Sequence, residues 1–508
     1  MAGREKEGYV VLLTRGNGST KGAGIDPAPF LFAPSPGMLA RVTRTRLPAT
    51  LVAALLALGA APAAAAPALS EPARWLQSYL RLDTSNPPGR EGRAAAYLAG
   101  LLGREGIAAR LLTGPGGRTS LYARLPAAAP GPADGTAPRP GALLLLHHLD
   151  TVPPGPGWSV PPFAGLVRDG RLWGRGAVDD KSLGIAHLAA MVDLKRRRAP
   201  LARDLVLLGV PDEESGGERG TAWLLAAHPE LFAGVAAVLG EGGRNQQLNG
   251  RLLWWGIEVA QKRPLWLEVE ARGRGGHASG LNPASAAHRL IQGLARLLAL
   301  PPEWRVTAPA RRYLQALAPL HNDRLRAAML GAERAIAAGG PPSGLPPGMA
   351  NLLLDTVQVT VLAAGERINV TPQRARAQID VRLLPDTPAD RYLARIRRAL
   401  GGDLASRVLL TAPPSPSSPT ANPLYRLLER TLGREAPVVP AFVPGFTDSR
   451  YLRQRGVPTY GFSPFALEPA DSAGIHGPDE RIPLAELDRG VARTRAVVTT
   501  FVTAGAAR

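Results

Sequence analysis

Five short apolar runs, at 121–125, 142–147, 205–210, 235–239 and 252–259, constrain this chain more than any other feature. Each is apolar nearly throughout rather than alternating, so each predicts a strand covered on both faces. Helical patterns at 184–194 and 222–227 fall between them. Strand and helix in alternation predict an α/β fold, a mixed, mostly parallel sheet with helices on both faces. In such sheets functional groups collect beyond the carboxyl ends of the strands.

The pattern changes near residue 263. A strand at 265–271, a strong helix at 283–300, alternating strands at 355–363 and 374–384 and a helix at 389–400 suit an α+β unit. Residues 307–349 read as a looser piece with a Pro/Gly-rich loop at 339–348. After about 413 the alternation of the first part returns, so the second unit is expected to be an insertion. The expected layout is a catalytic domain in two parts, 67–262 and 413–508, around an inserted lid at 263–412. Upstream, residues 1–37 are Gly- and Pro-rich and read as an extension, either foreign to the native product or disordered. Met38 opens a different segment, in which Arg41, Arg44 and Arg46 precede an apolar run at 47–60 and small residues at 61–66. That order predicts a signal peptide at 38–66 and export to the periplasm or the medium. The run is shorter than the roughly 20 residues of a membrane span, so no stable anchor is expected.

Composition narrows the chemistry. Across 508 residues there is no cysteine, which excludes disulfides, thiolate metal ligands and a cysteine nucleophile. Any metal must be held by His, Asp and Glu. The net charge of +19 does not imply a nucleic-acid partner: Lys occurs five times among 60 basic residues, and the abundant Arg is scattered rather than clustered.

Chemistry-bearing residues stand at the ends of the apolar runs. His148 and Asp150 close the run at 142–147 and share a face, so the carboxylate can orient the imidazole. His147 points the other way and reads as packing. A strand-end His is also a common structural residue. Gly174-Arg-Gly-Ala-Val-Asp179-Asp180-Lys181 precedes a helix, where either Asp could be an N-cap. Pro211-Asp-Glu213-Glu214-Ser-Gly-Gly follows another run and could be a surface turn, and Glu241 follows a third. Four strand ends of one sheet delivering His or carboxylate to one edge, with a late His476 in Gly474-Ile-His476-Gly-Pro, favour a metal site. The chain holds only eight His, and two fall in this pattern.

This order of motifs, with Gly275-Gly-His277 in the insertion, resembles the M20 family of dizinc metallopeptidases and amidohydrolases over about residues 70–500. Trp158-Ser-Val-Pro-Pro-Phe163, Phe446-Thr-Asp-Ser-Arg-Tyr451 and Tyr460-Gly-Phe-Ser-Pro464 are similar to its carboxypeptidase S, aminoacylase and N-acyl-amino-acid hydrolase branch. The resemblance implies a zinc-peptidase-like catalytic domain with an inserted lid or dimerisation domain. It implies two zinc ions per subunit, one at His148 and Glu241, the other at Glu214 and His476, with Asp179 bridging; cobalt or manganese can fill such sites. By the same resemblance Glu213 is the general base, Asp150 supports His148, and His277 stabilises the oxyanion, often across a dimer formed through the lid. Asn369 and Arg382 match lid residues that hold a substrate carboxylate, and Thr447 and Arg450 are expected to help bind substrate beside them. A structural ion pair is the alternative for Arg382. His147 stands where many relatives have Gly, and Glu241 where some have Asp. The expected activity is hydrolysis of the amide of a short peptide or N-acyl amino acid with a free carboxylate. A dizinc aminopeptidase, or a non-catalytic protein that binds such ligands, is the alternative.

Overall fold

The computed structural model describes residues 68–127 and 141–504. The expected extension and signal peptide lie outside the described residues.

Helix α1, Glu71–Leu80, is capped by Ser70 and leads to strands β1 (Ala109–Thr113), β2 (Thr119–Leu125) and β3 (Ala142–His148). Then follow helix α2 (Lys181–Arg196) and strands β4 (Leu205–Val210), β5 (Val235–Gly240) and β6 (Arg251–Gln261). β3 and β4 are buried at every position, as the unbroken apolar runs require. Helix α2 is buried on nearly all sides, because it lies between the sheet and the helices beyond it.

The chain then crosses into a second sheet made of β7 (Arg263–Arg272), β8 (Thr356–Ala364), β9 (Arg374–Leu383) and β10 (Leu404–Thr411). Its order is β8-β9-β7-β10, and every pairing is antiparallel. In β9 the alternate residues Ala375, Ala377, Ile379, Val381 and Leu383 face a core shared with helices α3 (Ala286–Leu298) and α6 (Ala389–Leu400). The other face of this sheet is polar, the usual division for an antiparallel sheet covered on one side.

Between α3 and β8 the expected loose piece contains two helices, α4 (Ala308–Leu317) and α5 (Asp323–Ala337). Tyr313, Leu314, Leu317, Met329 and Ala332 from these helices join the core of the main sheet rather than that of the inserted one. Residues 339–346 form neither helix nor strand, as their Pro/Gly content predicts, and Pro347–Ala350 make a single helical turn.

The chain returns through β11 (Val438–Val443) and β12 (Thr459–Gly461) and ends on helix α7 (Leu484–Thr503), which packs on α2. The main sheet runs β1-β2-β4-β3-β5-β12-β6-β11, with a short strand, Gln246–Leu248, paired to β6. Strands β4, β3, β5 and β12 are parallel neighbours, while β1 and β2 are antiparallel. His148 is level with Val210, and Leu145 with Leu239. The carboxyl ends of three adjacent strands therefore lie at one edge, β3 and β4 ending level and β5 two residues short of them.

Candidate metal centre

That edge carries the acidic cluster. His148 is the last residue of β3, Glu213 and Glu214 occupy a single turn after β4, and Glu241 directly follows β5. Asp179 arrives differently from the sequence expectation of a fourth strand end in the same sheet. The strand before it, Arg171–Trp173, belongs to a separate three-stranded sheet with Leu166–Arg168 and Arg481–Pro483. The pairing Trp173↔Arg481 draws the late turn around His476 to the Asp179 turn.

Asp179 stands at the centre of the cluster. Its Oδ1 lies 2.9 Å from His148 Nε2, and its Oδ2 lies 3.1 Å from His476 Nε2. His476 Nε2 is also 3.2 Å from Glu214 Oε2, and His148 Nε2 is 3.8 Å from Glu241 Oε2. One carboxylate thus faces two imidazoles through its two oxygens, and the Nε2 of each imidazole faces one further carboxylate. Donor atoms of His148, Asp179 and Glu214 lie within 4.8 Å of one another, and so do those of His148, Asp180 and Glu241. Asp180, read from the sequence only as a possible N-cap, stands at that position without a side-chain cap bond and instead accepts the His148 backbone N–H at 3.3 Å.

The electrostatics show what such a cluster lacks. Burial pushes Glu213, Glu214 and Glu241 above the ordinary carboxylate range, and neighbouring carboxylates push the same way. Burial acts to raise Asp179 as well, but the hydrogen bonds of His148 and His476 outweigh it and hold Asp179 low. His476 is raised to about 10 by its hydrogen bonds with Asp179 and Glu214. Among the described residues, the ion pairs of Asp150, Asp179, Glu214 and Glu241 are with these two His alone. Crowded carboxylates and imidazoles with no Lys or Arg among them form a donor set suited to divalent cations such as zinc.

Asp150 holds the cluster in a different way from the one expected. The backbone carbonyl of Asp150, not its carboxylate, lies 2.9 Å from His148 Nδ1; the carboxylate is 3.6 Å away. Its two oxygens instead accept the backbone N–H groups of Glu213 and Glu214, both at 3.2 Å, and Asn86 Nδ2 at 2.8 Å. The fully buried carboxylate therefore fixes the turn that presents Glu213. Asn86 in turn accepts from Arg118 at 3.1 Å, and Arg118 pairs with Glu91 and with Asp212.

Glu480 is a further support that the sequence reading missed. It is fully buried, pairs with Arg175 at 2.6 Å and accepts the backbone N–H groups of Gly176, Val178 and Asp179 at 2.8–2.9 Å. Its signal in the sequence is slight, an acid four residues after His476. Asp448 also escaped notice: its Oδ2 accepts from Thr221 at 2.8 Å, and it lines a small cavity with His148, Glu213 and Glu241.

The expected substrate residues are divided. Thr447 lines that same cavity and is fixed by Gln261. Arg450 is buried and committed to the carbonyls of Gly216 and Thr447 and to the Tyr451 hydroxyl, so it braces the Glu213 turn rather than presenting a free cation. Arg382 is paired side-on with Asp380 of its own strand at 2.7 and 2.8 Å and stacks on Phe446. His277 and Asn369 lie together and exposed on a two-stranded ribbon of the insertion, where the Ala278 N–H donates to the Asn369 carbonyl. His277 Nδ1 is 2.8 Å from Ser279 Oγ. His147, expected to pack, is buried edge-on against His187.

Comparison with known proteins agrees with this architecture. Residues 144–500 match the family model described as peptidase family M20/M25/M40. An N-fatty-acyl-amino acid synthase/hydrolase of Mus musculus is 30% identical over 370 residues, covering 68% of this chain and 72% of that protein. An aminoacylase-1 of Pongo abelii is 27% identical over 366 residues, covering 70% and 79%. Among solved structures, an M20 family metallo-carboxypeptidase of Sulfolobus solfataricus superposes with a TM-score of 0.63 at 18% identity, covering 85% of this chain and 99% of that one.

Proposed function

Because this chain belongs to peptidase family M20/M25/M40 and is a hydrolytic enzyme of that family, we propose that it cleaves the amide bond of N-acyl amino acids bearing a free carboxylate. Two relatives named for N-acyl amino acid chemistry support that substrate class. Short peptides with a free carboxylate are the second choice, favoured by the fold shared with a metallo-carboxypeptidase. The observation that carries the reading is the placement of Asp179 between His148 and His476, one oxygen toward each.

In this reading His148 and Glu241 would hold one divalent ion and Glu214 and His476 a second, with Asp179 offering one oxygen toward each His. Zinc fits the nitrogen and oxygen donors, with cobalt or manganese as substitutes. When bound, such ions lower the pKa of a water and polarise the carbonyl it attacks. Glu213 makes no ion pair among the described residues, and its carboxylate is free to take a proton from the attacking water and hand it to the leaving nitrogen. Asp150 keeps Glu213 aimed by holding two backbone N–H groups of its turn. His277 donates to the developing oxyanion, and Arg382, exchanging Asp380 for substrate, takes the free carboxylate with Asn369. Thr447 forms part of the wall beside Glu213. A homodimer through the inserted sheet, and export of the mature chain, belong to the same proposal.

The test uses zinc-loaded protein from residue 67 onward and measures free amino acid released from a panel of N-acyl amino acids and dipeptides. Glu213→Gln is expected to lower kcat by roughly 10²–10⁴-fold with metal content unchanged, the usual contribution of a general base. A fully active Glu213→Gln variant removes the assigned base, and release from dipeptides alone transfers the reading to peptide substrates.

A further inference from the structure

A cavity of about 250 Å³ opens where the inserted sheet joins the rest of the chain, remote in sequence from every residue of the metal cluster. Four of its lining residues are Arg305, Arg391, Arg395 and Arg398, against two acids, Glu303 and Asp355. The acids are already engaged. Asp355 is buried and accepts the Leu384 N–H at 2.6 Å and the Thr387 hydroxyl at 2.7 Å, with Arg305 at 3.8 Å. Arg305 also faces Asp386 at 3.3 Å. Glu303 pairs with Arg395 at 3.2 Å, and Arg395 donates to the Pro301 carbonyl at 2.6 Å.

Arg391 and Arg398 are left over. Both line the cavity, both are exposed, and neither pairs with a carboxylate among the described residues. With Arg395 they follow an i, i+4, i+7 spacing on α6, so three guanidinium groups share one helix face. Like charges at that spacing repel, and each guanidinium presents a planar fork matched to carboxylate or phosphate. Seven residues of helix rise about 10 Å, so Arg391 and Arg398 flank the cavity from its two ends rather than meeting at one point. Tyr392 and Pro388 add apolar surface to the lining.

We infer that this cavity is a binding site for a small organic molecule with two anionic groups, carboxylates or phosphates, held at opposite ends by Arg391 and Arg398. The bound molecule ties the segment carrying Glu303 and Arg305 to helix α6. It therefore strengthens the junction at which Arg263 donates to the carbonyls of Thr387 and Ala412.

The probes are adipate, for carboxylates, and fructose 1,6-bisphosphate, for phosphates, each titrated calorimetrically into the full-length zinc-loaded protein against sodium chloride of equal ionic strength. Saturable binding of at least one probe is expected, with a raised unfolding temperature. The Arg391→Ala/Arg398→Ala variant is expected to weaken that binding at least about tenfold, as loss of charge-assisted bidentate contacts implies. The Arg324→Ala/Arg430→Ala variant removes equal charge from other exposed helices and is expected to bind as the parent does. The probe that binds identifies the headgroup. No saturable binding of either probe overturns the inference, and so does equal weakening in both double variants, which would show only the basic surface. Unfolding curves of the variants without probe establish that both fold.

Discussion

Glu480 touches none of the His148, Glu214, Glu241 or His476 side chains, yet it holds the turn that presents the Asp179 carboxylate in place. Its two oxygens collect three consecutive-turn N–H groups, ending with that of Asp179, and the Arg175 guanidinium. Both partners of the pair are fully buried, so removing one leaves an uncompensated charge in the interior. Glu480→Gln is expected to cost about 3 kcal/mol of stability and to lower metal occupancy, measured by thermal unfolding and elemental analysis. Unchanged occupancy would mean that the Asp179 turn holds itself. Lys262 makes a second prediction at this scale. Burial lowers its pKa to about 8, against an attraction from Asp355 that acts to raise it. Between pH 8 and the ordinary lysine value the unfolded chain binds more protons than the folded one, so stability rises with pH across that window. Lys262→Met is expected to be the more stable protein at pH 7 and to lose that rise, as read from unfolding midpoints across pH 7–10.5.

At the scale of elements, the turn after β4 is the most constrained piece of backbone in the site. Asp212, Gly216 and Gly217 all have positive φ, at 74°, 111° and 71°. A Cβ on Gly217 would run into Asp448 Oδ1, and one on Gly216 would meet the Leu410 side chain at 2.9 Å. The turn is thus pressed between Asp150 beneath it and the segment from Asp448 to Tyr451, whose Tyr451 hydroxyl donates to the Gly216 carbonyl at 2.8 Å. Gly217→Ala combines an unfavourable φ with a steric overlap, and a loss of about 1–3 kcal/mol is expected. Because the displaced turn carries Glu213 and Glu214, kcat is expected to fall by more than the unfolded fraction explains. A variant with parental kcat would show that the turn tolerates the shift.

At the scale of the whole molecule, the candidate metal cluster joins segments that are far apart in the chain: β3, the Asp179 turn, the ends of β4 and β5, and the turn at His476. Ions bound there cross-link the sheet to the last hundred residues, and anything that binds only the folded state stabilises it. Removal of metal with a chelator is expected to lower the unfolding temperature and abolish hydrolysis, and restored zinc to reverse both. An unfolding temperature indifferent to chelation would argue that His148, Asp179 and His476 hold each other without ions. The same long-range assembly limits what could be read in advance. The parallel sheet and the inserted antiparallel sheet are legible because unbroken and alternating apolar runs report burial on two faces or one. Helices α4 and α5 were not assigned to the main core, since an amphipathic stripe reveals that a helix is covered without revealing by what.

The sequence by itself determined the class of fold and the strand ends that carry His148, Glu213, Glu214 and Glu241, because backbone periodicity and strand-end motifs are local properties of the chain. Only the tertiary structure decided that Asp150 holds the Glu213 turn, that Glu480 and Asp179 meet across 301 positions, and that Arg450 is a brace rather than a free cation. Those are choices of partner, and a buried charge or N–H group takes whichever complementary group the packed sheets bring within about 3 Å, a distance that sequence spacing does not encode.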